Sequence, residues 1–282
     1  SRGLGDVYKR QVLGLTKEFL RIDLALAKAE IVKFIRAKVE EAGKAGVVLG
    51  LSGGVDSSTV AALCVSALGA KNVLGLIMPS SITCSEDVED AKFTANMLGI
   101  ESEIIKIAPF EDAFSTICPH YDQANRIATG NVKPRVRMMI LYYHANALNR
   151  LVVGTGNKSE LLIGYSTKYG DGGVDLLPIG DLYKTQVRWL AEHLGIQKGI
   201  LQKVPTAGLW AGQTDEDEIG IKYGVLDLIL HGLMELRMKS MEIAKQLEIP
   251  VDTVSRVLVM TQKSEHKRQP PPIAKISRAK NQ

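Results

Sequence analysis

The stretch VVLGLSGGVDSSTVAALC, residues 47–64, decides how the rest of the chain is read. Val47 to Leu51 is a short apolar run of strand size. Ser52, Gly53 and Gly54 then break the pattern, and from Asp56 the apolar residues return at helical spacing. Strand, glycine-rich turn and helix start, in that order, form an anion site. Backbone N–H groups converge there and the helix dipole favours negative charge. Ser52, Gly53 and Gly54 can turn their N–H groups onto an anion, with hydroxyl donors from Ser57 and Ser58 at the helix start. The familiar phosphate loop closes with Gly-Lys-Ser/Thr. Here there is no lysine, and Asp56 stands in the turn. A carboxylate would repel phosphate unless a cation lay between them. Asp56 thus reads as a ligand for Mg²⁺, which binds through one or two carboxylates plus substrate phosphates. A lone aspartate would more simply cap a tight turn, but Ser-Gly-Gly-x-Asp-Ser directly after a strand is a far more specific pattern.

Outward from this loop, the periodicity predicts an α/β chain. It predicts helices over 17–42, 56–68, 85–98, 110–117 and 135–149, with Ser85 capping the third. It predicts strands over 47–51, 73–78, 103–107 and 151–153. Alternation of this kind indicates a mostly parallel sheet with helices on both faces. In such sheets ligands sit beyond the carboxyl ends of the strands, so the loops at 52–57, 79–84 and 154–160 should share one rim. After Pro205 the pattern is all-helical.

The chain has 282 residues, 45% of them hydrophobic, enough for one large domain or one with a small appendage. No apolar run approaches the roughly 20 residues that span a membrane. Three cysteines, Cys64, Cys84 and Cys118, make an odd count without a CxxC pair. That argues against a disulfide framework or zinc knuckle and for a reducing cytoplasm. The net charge of +4 is concentrated at the end. Residues 261–282 carry six lysines and arginines against Glu265, a segment able to grip phosphates or to be merely solvated. The opening SRGLGDVYKRQ matches nothing after it, and residues 1–14 are set aside as an appended segment or a disordered terminus.

SGGVDSS resembles the signature of the ATP pyrophosphatases, or PP-loop enzymes. The resemblance implies a Rossmann-like fold of the adenine nucleotide alpha hydrolase type. It also implies ATP cleavage between the α and β phosphates, with adenylation of a second substrate. Four further segments narrow it: GNVKPRVRM (130–138), VGTGNKSELLIGYSTKYGDGGVDLLPIGDLYKTQVR (153–188), VPTAGLWAGQTDEDEIG (204–220) and SEHKRQPPP (264–272). Together they resemble ammonia-dependent NAD synthetase over essentially all of residues 15–273. This predicts a single domain, with a helical C-terminal portion at about 206–262 and a basic tail at 274–282.

That resemblance implies a ligase reaction. The nicotinic carboxylate of deamido-NAD attacks ATP, pyrophosphate leaves, and ammonia attacks the NAD-adenylate to give NAD and AMP. Carried over by position, Gly50, Leu51, Ser52, Gly53, Gly54, Val55, Asp56, Ser57, Thr155, Lys184 and Thr206 would bind ATP. Asp56 and Glu160 would hold Mg²⁺, and Asp56 and Lys184 would be the catalytic pair. Arg135, Lys168, Asp175, His266 and Lys267 would bind deamido-NAD. Read alone, Glu160 is a first-turn helix charge, Lys184 a solvated lysine and Thr206 a helix cap. His266, Lys267 and Arg268 could fold over the phosphate-rich substrates and exclude water from the adenylate. The resemblance also implies a homodimer, for which the apolar residues Met138, Met139, Leu141 and Tyr142 offer a candidate interface. No glutaminase segment is evident, so ammonia would come free or from a partner.

Two rivals stand beside this reading. MEIAKQLEIPVDTVSRVLVMTQKSEHKR (241–268) has the outline of a helix-turn-helix with Arg256 as base reader. Val257, Leu258, Val259 and Met260 are expected to be buried, which favours a packed helical pair and no nucleic-acid partner. The closer rival is another PP-loop enzyme, GMP synthetase-like or tRNA-modifying. A sulfur carrier would want a reactive cysteine pair, whereas Cys64 reads as core.

Overall fold

The computed structural model describes residues 14–276. The opening segment up to residue 13 and residues 277–282 of the basic tail lie outside them. Thirteen α-helices, three short 3₁₀ helices and four strands are assigned among the described residues. In order they begin α1 (Leu24–Glu41), β1 (Gly46–Gly50), α2 (Val55–Leu68), β2 (Val73–Ile77), α3 (Ser85–Leu98) and β3 (Glu101–Ile104). They continue α4 (Ala108–Ile117), α5 (Arg126–Gly130), α6 (Val132–Ala147), β4 (Arg150–Val153), α7 (Lys158–Ile163) and α8 (Lys184–His193). The chain closes with α9 (Lys198–Gln202), α10 (Asp215–Ile219), α11 (Tyr223–Met234), α12 (Ser240–Leu247) and α13 (Val251–Lys263).

The sheet is parallel throughout, in the order β3-β2-β1-β4. β1 is central because its residues Val47 to Leu49 are apolar on both faces and fully buried. Val47 and Leu49 pack with Ile35 of α1, Leu63 of α2 and Leu190 of α8. Val48 points to the other face, with Leu74, Leu76, Val152 and Ile140 of α6. Strand order reverses between β2 and β4 across β1, so a crevice opens at the carboxyl ends of β1 and β4. The expected rim loops all meet there.

Local differences from the sequence reading have local causes. The single helix expected over 17–42 is a 3₁₀ turn at Lys17–Leu20 and then α1. Asp23 separates them, because its carboxylate accepts the Leu26 N–H and starts a new helix. The start of α3 is capped at Cys84 without a side-chain bond, so Ser85 is the first helical residue rather than the cap. The third strand pairs over 101–104 instead of 103–107. The chain beyond it still donates from Ile105 to Ile77 and from Ile107 to Pro79, each at 2.9 Å.

The helical C-terminal part has its own core. Leu226, Ile229 and Leu230 of α11 pack with Ile243 of α12 and with Val254 and Val257 of α13. Leu20 and Tyr183 join the same cluster, which ties it to the sheet domain. The helix-turn-helix outline at 241–268 is thus a packed pair. Arg256 is held at the Gly220 carbonyl, 3.0 Å away. The burial expected for Val257 to Met260 holds only for Val257, while Val259 is 43% exposed. No helix among the described residues is long and apolar enough to cross a membrane.

Candidate active site

The loop after β1 is shaped by Gly53, whose φ of +77° lies in the left-handed region. A Cβ there would stand 2.3 Å from the Asp87 carbonyl oxygen, so only glycine fits. The turn is closed from within. Ser57 Oγ donates to the Gly54 carbonyl at 3.1 Å and accepts the Ser52 N–H at 3.3 Å. The first-turn N–H groups of α2 face out of this turn, as helix geometry requires. Ser58 does not face it. Its hydroxyl is fully buried and bonds Gly54 O and Thr94, so it is not an anion donor. Leu51 and Val55 are core side chains, and the Leu51 N–H is committed to Leu76 O at 2.9 Å.

Asp56 sits in the first turn of α2, directed at the start of α7 and α8. The Lys184 ammonium is within hydrogen-bonding distance of Asp56 Oδ2 and 3.2 Å from Glu160 Oε1. Asn157 Nδ2 donates to Asp56 Oδ1 at 3.2 Å. Asn157 and Glu160 also form a reciprocal capping box at the start of α7. Glu160 is thus both the first-turn charge of α7 and part of the cluster. Lys184 is not a solvated lysine but 3% exposed, its Nζ lying 5.1 Å over the Tyr223 ring. The Tyr223 hydroxyl donates to Asp215 Oδ2 at 3.1 Å and reaches Glu160 Oε1 at 3.5 Å.

The electrostatics follow from this crowding. Burial pushes Glu160 up to about 7 despite the pull of Lys184, and the neighbouring Asp56 adds repulsion. Burial alone would lower the Lys184 ammonium, but Asp56 and Glu160 outweigh it and hold it above the ordinary lysine range. Burial also raises Asp215, whose Oδ1 is enclosed without a hydrogen-bond partner. Asp56 and Glu160 are a pair of hard-oxygen donors suited to Mg²⁺. No group of three or more His, Cys, Asp or Glu among the described residues is arranged to hold a metal. Two protein carboxylates, with phosphates supplying the rest, is the usual share for this ion.

These groups open into a cavity of about 630 Å³. Thr155 and Thr206 line it, as does Lys267. Thr206 is exposed and caps no helix: its hydroxyl accepts the Gly208 N–H at 3.1 Å within a turn. Lys267 is braced by the carbonyls of Gly164 and Ser166 at 2.6 and 2.5 Å. Arg268 is spent on carbonyls of Leu161, Leu162 and Thr261, so it anchors the segment and does not close over the cavity. Lys168 Nζ lies 3.4 Å from His266 Nδ1, and Arg135 reaches the Lys168 carbonyl at 3.5 Å. This second group stands outside the cavity lining. Asp175 lies apart from both. It accepts from Tyr142 OH at 3.0 Å and the Val152 N–H at 2.8 Å, beside the exposed face of α6.

Sequence reasoning missed Asn157, Asp215, Tyr223 and Asp227. The last carried a visible signal, a carboxylate inside the apolar run VLDLIL. Among the described residues the cysteines are free. Burial pushes the Cys64 thiol up to about 12, which suits core packing and not sulfur transfer.

A family model described as NAD synthase matches residues 27–271. The NH(3)-dependent NAD(+) synthetase of Archaeoglobus fulgidus is 51% identical over 247 residues, 87% of this chain and 95% of that protein. That of Methanococcoides burtonii is 46% identical over 90% of this chain and 96% of its own. Among solved structures, NMN synthetase from Francisella tularensis matches with a TM-score of 0.80 and 35% identity, covering 90% of this chain and 99% of that one. NH3-dependent NAD synthetase from Campylobacter jejuni matches with a TM-score of 0.76 and 32% identity, covering 90% and 100%. With the parallel sheet, the loop after β1 and the Asp56–Glu160–Lys184 cluster in place, these matches make the chain a member of the NAD synthase family.

Proposed function

We propose that this protein joins ammonia to the nicotinic carboxylate of deamido-NAD, using ATP and releasing AMP and pyrophosphate through an NAD-adenylate. The observation that carries the reading is the convergence of Asp56, Glu160 and Lys184, from three elements, at the mouth of the loop after β1. The first-turn N–H groups of α2 would receive the β and γ phosphates, with Thr155 and Thr206 on the nucleotide. Lys184 would neutralise charge as the carboxylate oxygen attacks the α-phosphorus and the bond to pyrophosphate breaks. Mg²⁺, held by Asp56 and Glu160, would supply further charge neutralisation on the phosphates. Arg135, Lys168, His266 and Lys267 would bind the dinucleotide's phosphates. Of the residues expected at a dimer face, Leu141 and Tyr142 pack against the core and Met139 is exposed; Met139 with the exposed Tyr143 supports a homodimer through α6. Residues 15–273 would form one catalytic domain, at work in a reducing cytoplasm.

The likeness to the Francisella NMN synthetase favours a second reading, in which the acceptor is nicotinic acid mononucleotide. Pyrophosphate release from ATP and Mg²⁺ separates them, with ammonium and each acceptor offered in turn beside xanthosine monophosphate and tRNA. Release with deamido-NAD, matched mole for mole by NAD, supports the first reading. Preference for the mononucleotide supports the second, and release with either other acceptor overturns both.

A further inference from the structure

The catalytic cluster stands on a buried carboxylate that touches neither substrate pocket nor metal ligand. Asp227 is the one acid in α11, YGVLDLILHGLM, and is 0% exposed. Its Oδ1 accepts the Ser159 hydroxyl at 2.5 Å and its Oδ2 accepts the Thr185 N–H at 2.8 Å. Ser159 Oγ in turn accepts the Lys184 N–H at 2.9 Å. One carboxylate therefore ties the first turn of α7 to the first turn of α8. Ser159 directly precedes Glu160, and Thr185 directly follows Lys184. Three helices are locked at the two residues whose side chains meet over Asp56.

The arrangement answers two structural needs at once. The opening N–H groups of α8 have no partner within their own helix. Asp227 and Ser159 satisfy two of them from other helices, and the negative charge suits a helix N-terminus. A buried carboxylate is costly and would be replaced by an apolar residue if packing were all that α11 required. The apolar neighbours Leu226 and Leu228 show that α11 is otherwise a core helix.

We infer that Asp227, acting through Ser159 and the α8 N-terminus, is a positioning residue that sets the spacing of Glu160 and Lys184 for Mg²⁺–ATP. This deepens the proposed function and rests on it for the roles of Glu160 and Lys184 toward Mg²⁺–ATP, not for the identity of the acceptor. Asp227→Asn keeps the shape but cannot accept at both ends, since its amide must face either Ser159 or the Thr185 N–H. Ser159→Ala keeps Asp227 on the Thr185 N–H but removes the hydroxyl that joins Asp227 Oδ1 to the Lys184 N–H, breaking the bridge at both of its bonds. Leu226→Ala serves as a destabilised control in the same helix.

The experiment measures three things in each purified protein: Mg²⁺–ATP affinity by calorimetry without acceptor, kcat and half-saturating Mg²⁺ with whichever acceptor the wild type uses, and the melting temperature. Asp227→Asn is expected to weaken Mg²⁺–ATP binding and lower kcat, each by at least about ten-fold, as misplacement of catalytic groups does. Ser159→Ala is expected to move both in the same direction by less, and Leu226→Ala to lower the melting temperature with kcat within two-fold of wild type. If Asp227→Asn does not fold, Ser159→Ala alone decides. Loss of melting temperature with wild-type affinity and kcat in the folded variants would overturn the inference, leaving Asp227 a purely structural cap. Because calorimetry needs no acceptor, failure of the deamido-NAD reading would appear separately, in the wild type's choice of acceptor.

Discussion

Replacing Gly53 by alanine tests whether the loop after β1 is held by contact as well as by its backbone twist. Gly53 has φ +77°, where an L-residue is strained by roughly 1–2 kcal/mol. Its new Cβ would also stand 2.3 Å from the Asp87 carbonyl oxygen. An ordinary carbon–oxygen contact is about an ångström longer, so the loop or the start of α3 must withdraw by about that much. A displacement of about 1 Å at catalytic groups can cost on the order of 100-fold in rate. The strain and the clash together should lower stability by about 2–3 kcal/mol, or roughly 5–10 °C for a domain of this size. Gly43→Ala supplies the control, because Gly43 has φ +62° but nothing within 4 Å of where a Cβ would stand. The assay is kcat/KM for ATP together with thermal melting by circular dichroism. Gly43→Ala should lose stability alone, whereas Gly53→Ala should lose stability and about 100-fold in kcat/KM. Equal kcat/KM for the two variants would refute the claim that the Asp87 contact sets the loop.

Asp56→Asn and Glu160→Gln should each lower kcat by about 100-fold or more with unchanged far-ultraviolet circular dichroism; normal turnover at ordinary Mg²⁺ would remove both from the metal and phosphate site. Glu160 also sets a pH dependence. Its folded-state pKa is raised to about 7 from 4.5, so the folded protein holds that proton more tightly than the unfolded chain. Unliganded stability should therefore fall as pH rises from about 4.5 to about 7. Glu160→Gln should make that fall shallower in thermal melts without Mg²⁺ or ATP, while Asp215 and Asp227, also raised by burial, keep part of it. Identical slopes for variant and wild type would show that Glu160 is not ionising in that window.

The sheet and its rim are legible in the sequence because their signals are local. An apolar strand, a glycine that must adopt positive φ and a helix start lie within eight residues of each other, from Val47 to Gly54 and on into α2. Asp56 stands out because a carboxylate in an anion loop needs a cation. Glu160 and Lys184 are legible only through motif resemblance, since each alone is an ordinary helix-start charge. The supporting residues are hidden for a different reason. Asn157 meets Asp56 across 101 positions and Asp227 meets Ser159 across 68, so no window of sequence contains the pair. The different place of Arg268 has the same origin: a basic residue beside a substrate motif looks free to bind phosphate, and only the fold shows three carbonyls around it. Val259 is exposed because a run of four apolar residues cannot all face inward on one helix, and α13 buries the Val254–Val257–Thr261 stripe.

The most direct test of the account follows the oxygen atoms. Deamido-NAD carrying ¹⁸O in both positions of its nicotinic carboxylate is turned over with ATP, Mg²⁺ and ammonium, and the AMP is analysed by mass spectrometry. Attack of the carboxylate on the α-phosphorus predicts AMP with one ¹⁸O and NAD retaining the other in its amide. Unlabelled AMP, or ADP and labelled phosphate in its place, would contradict adenylation at the loop after β1 and with it the assigned roles of Asp56, Glu160 and Lys184.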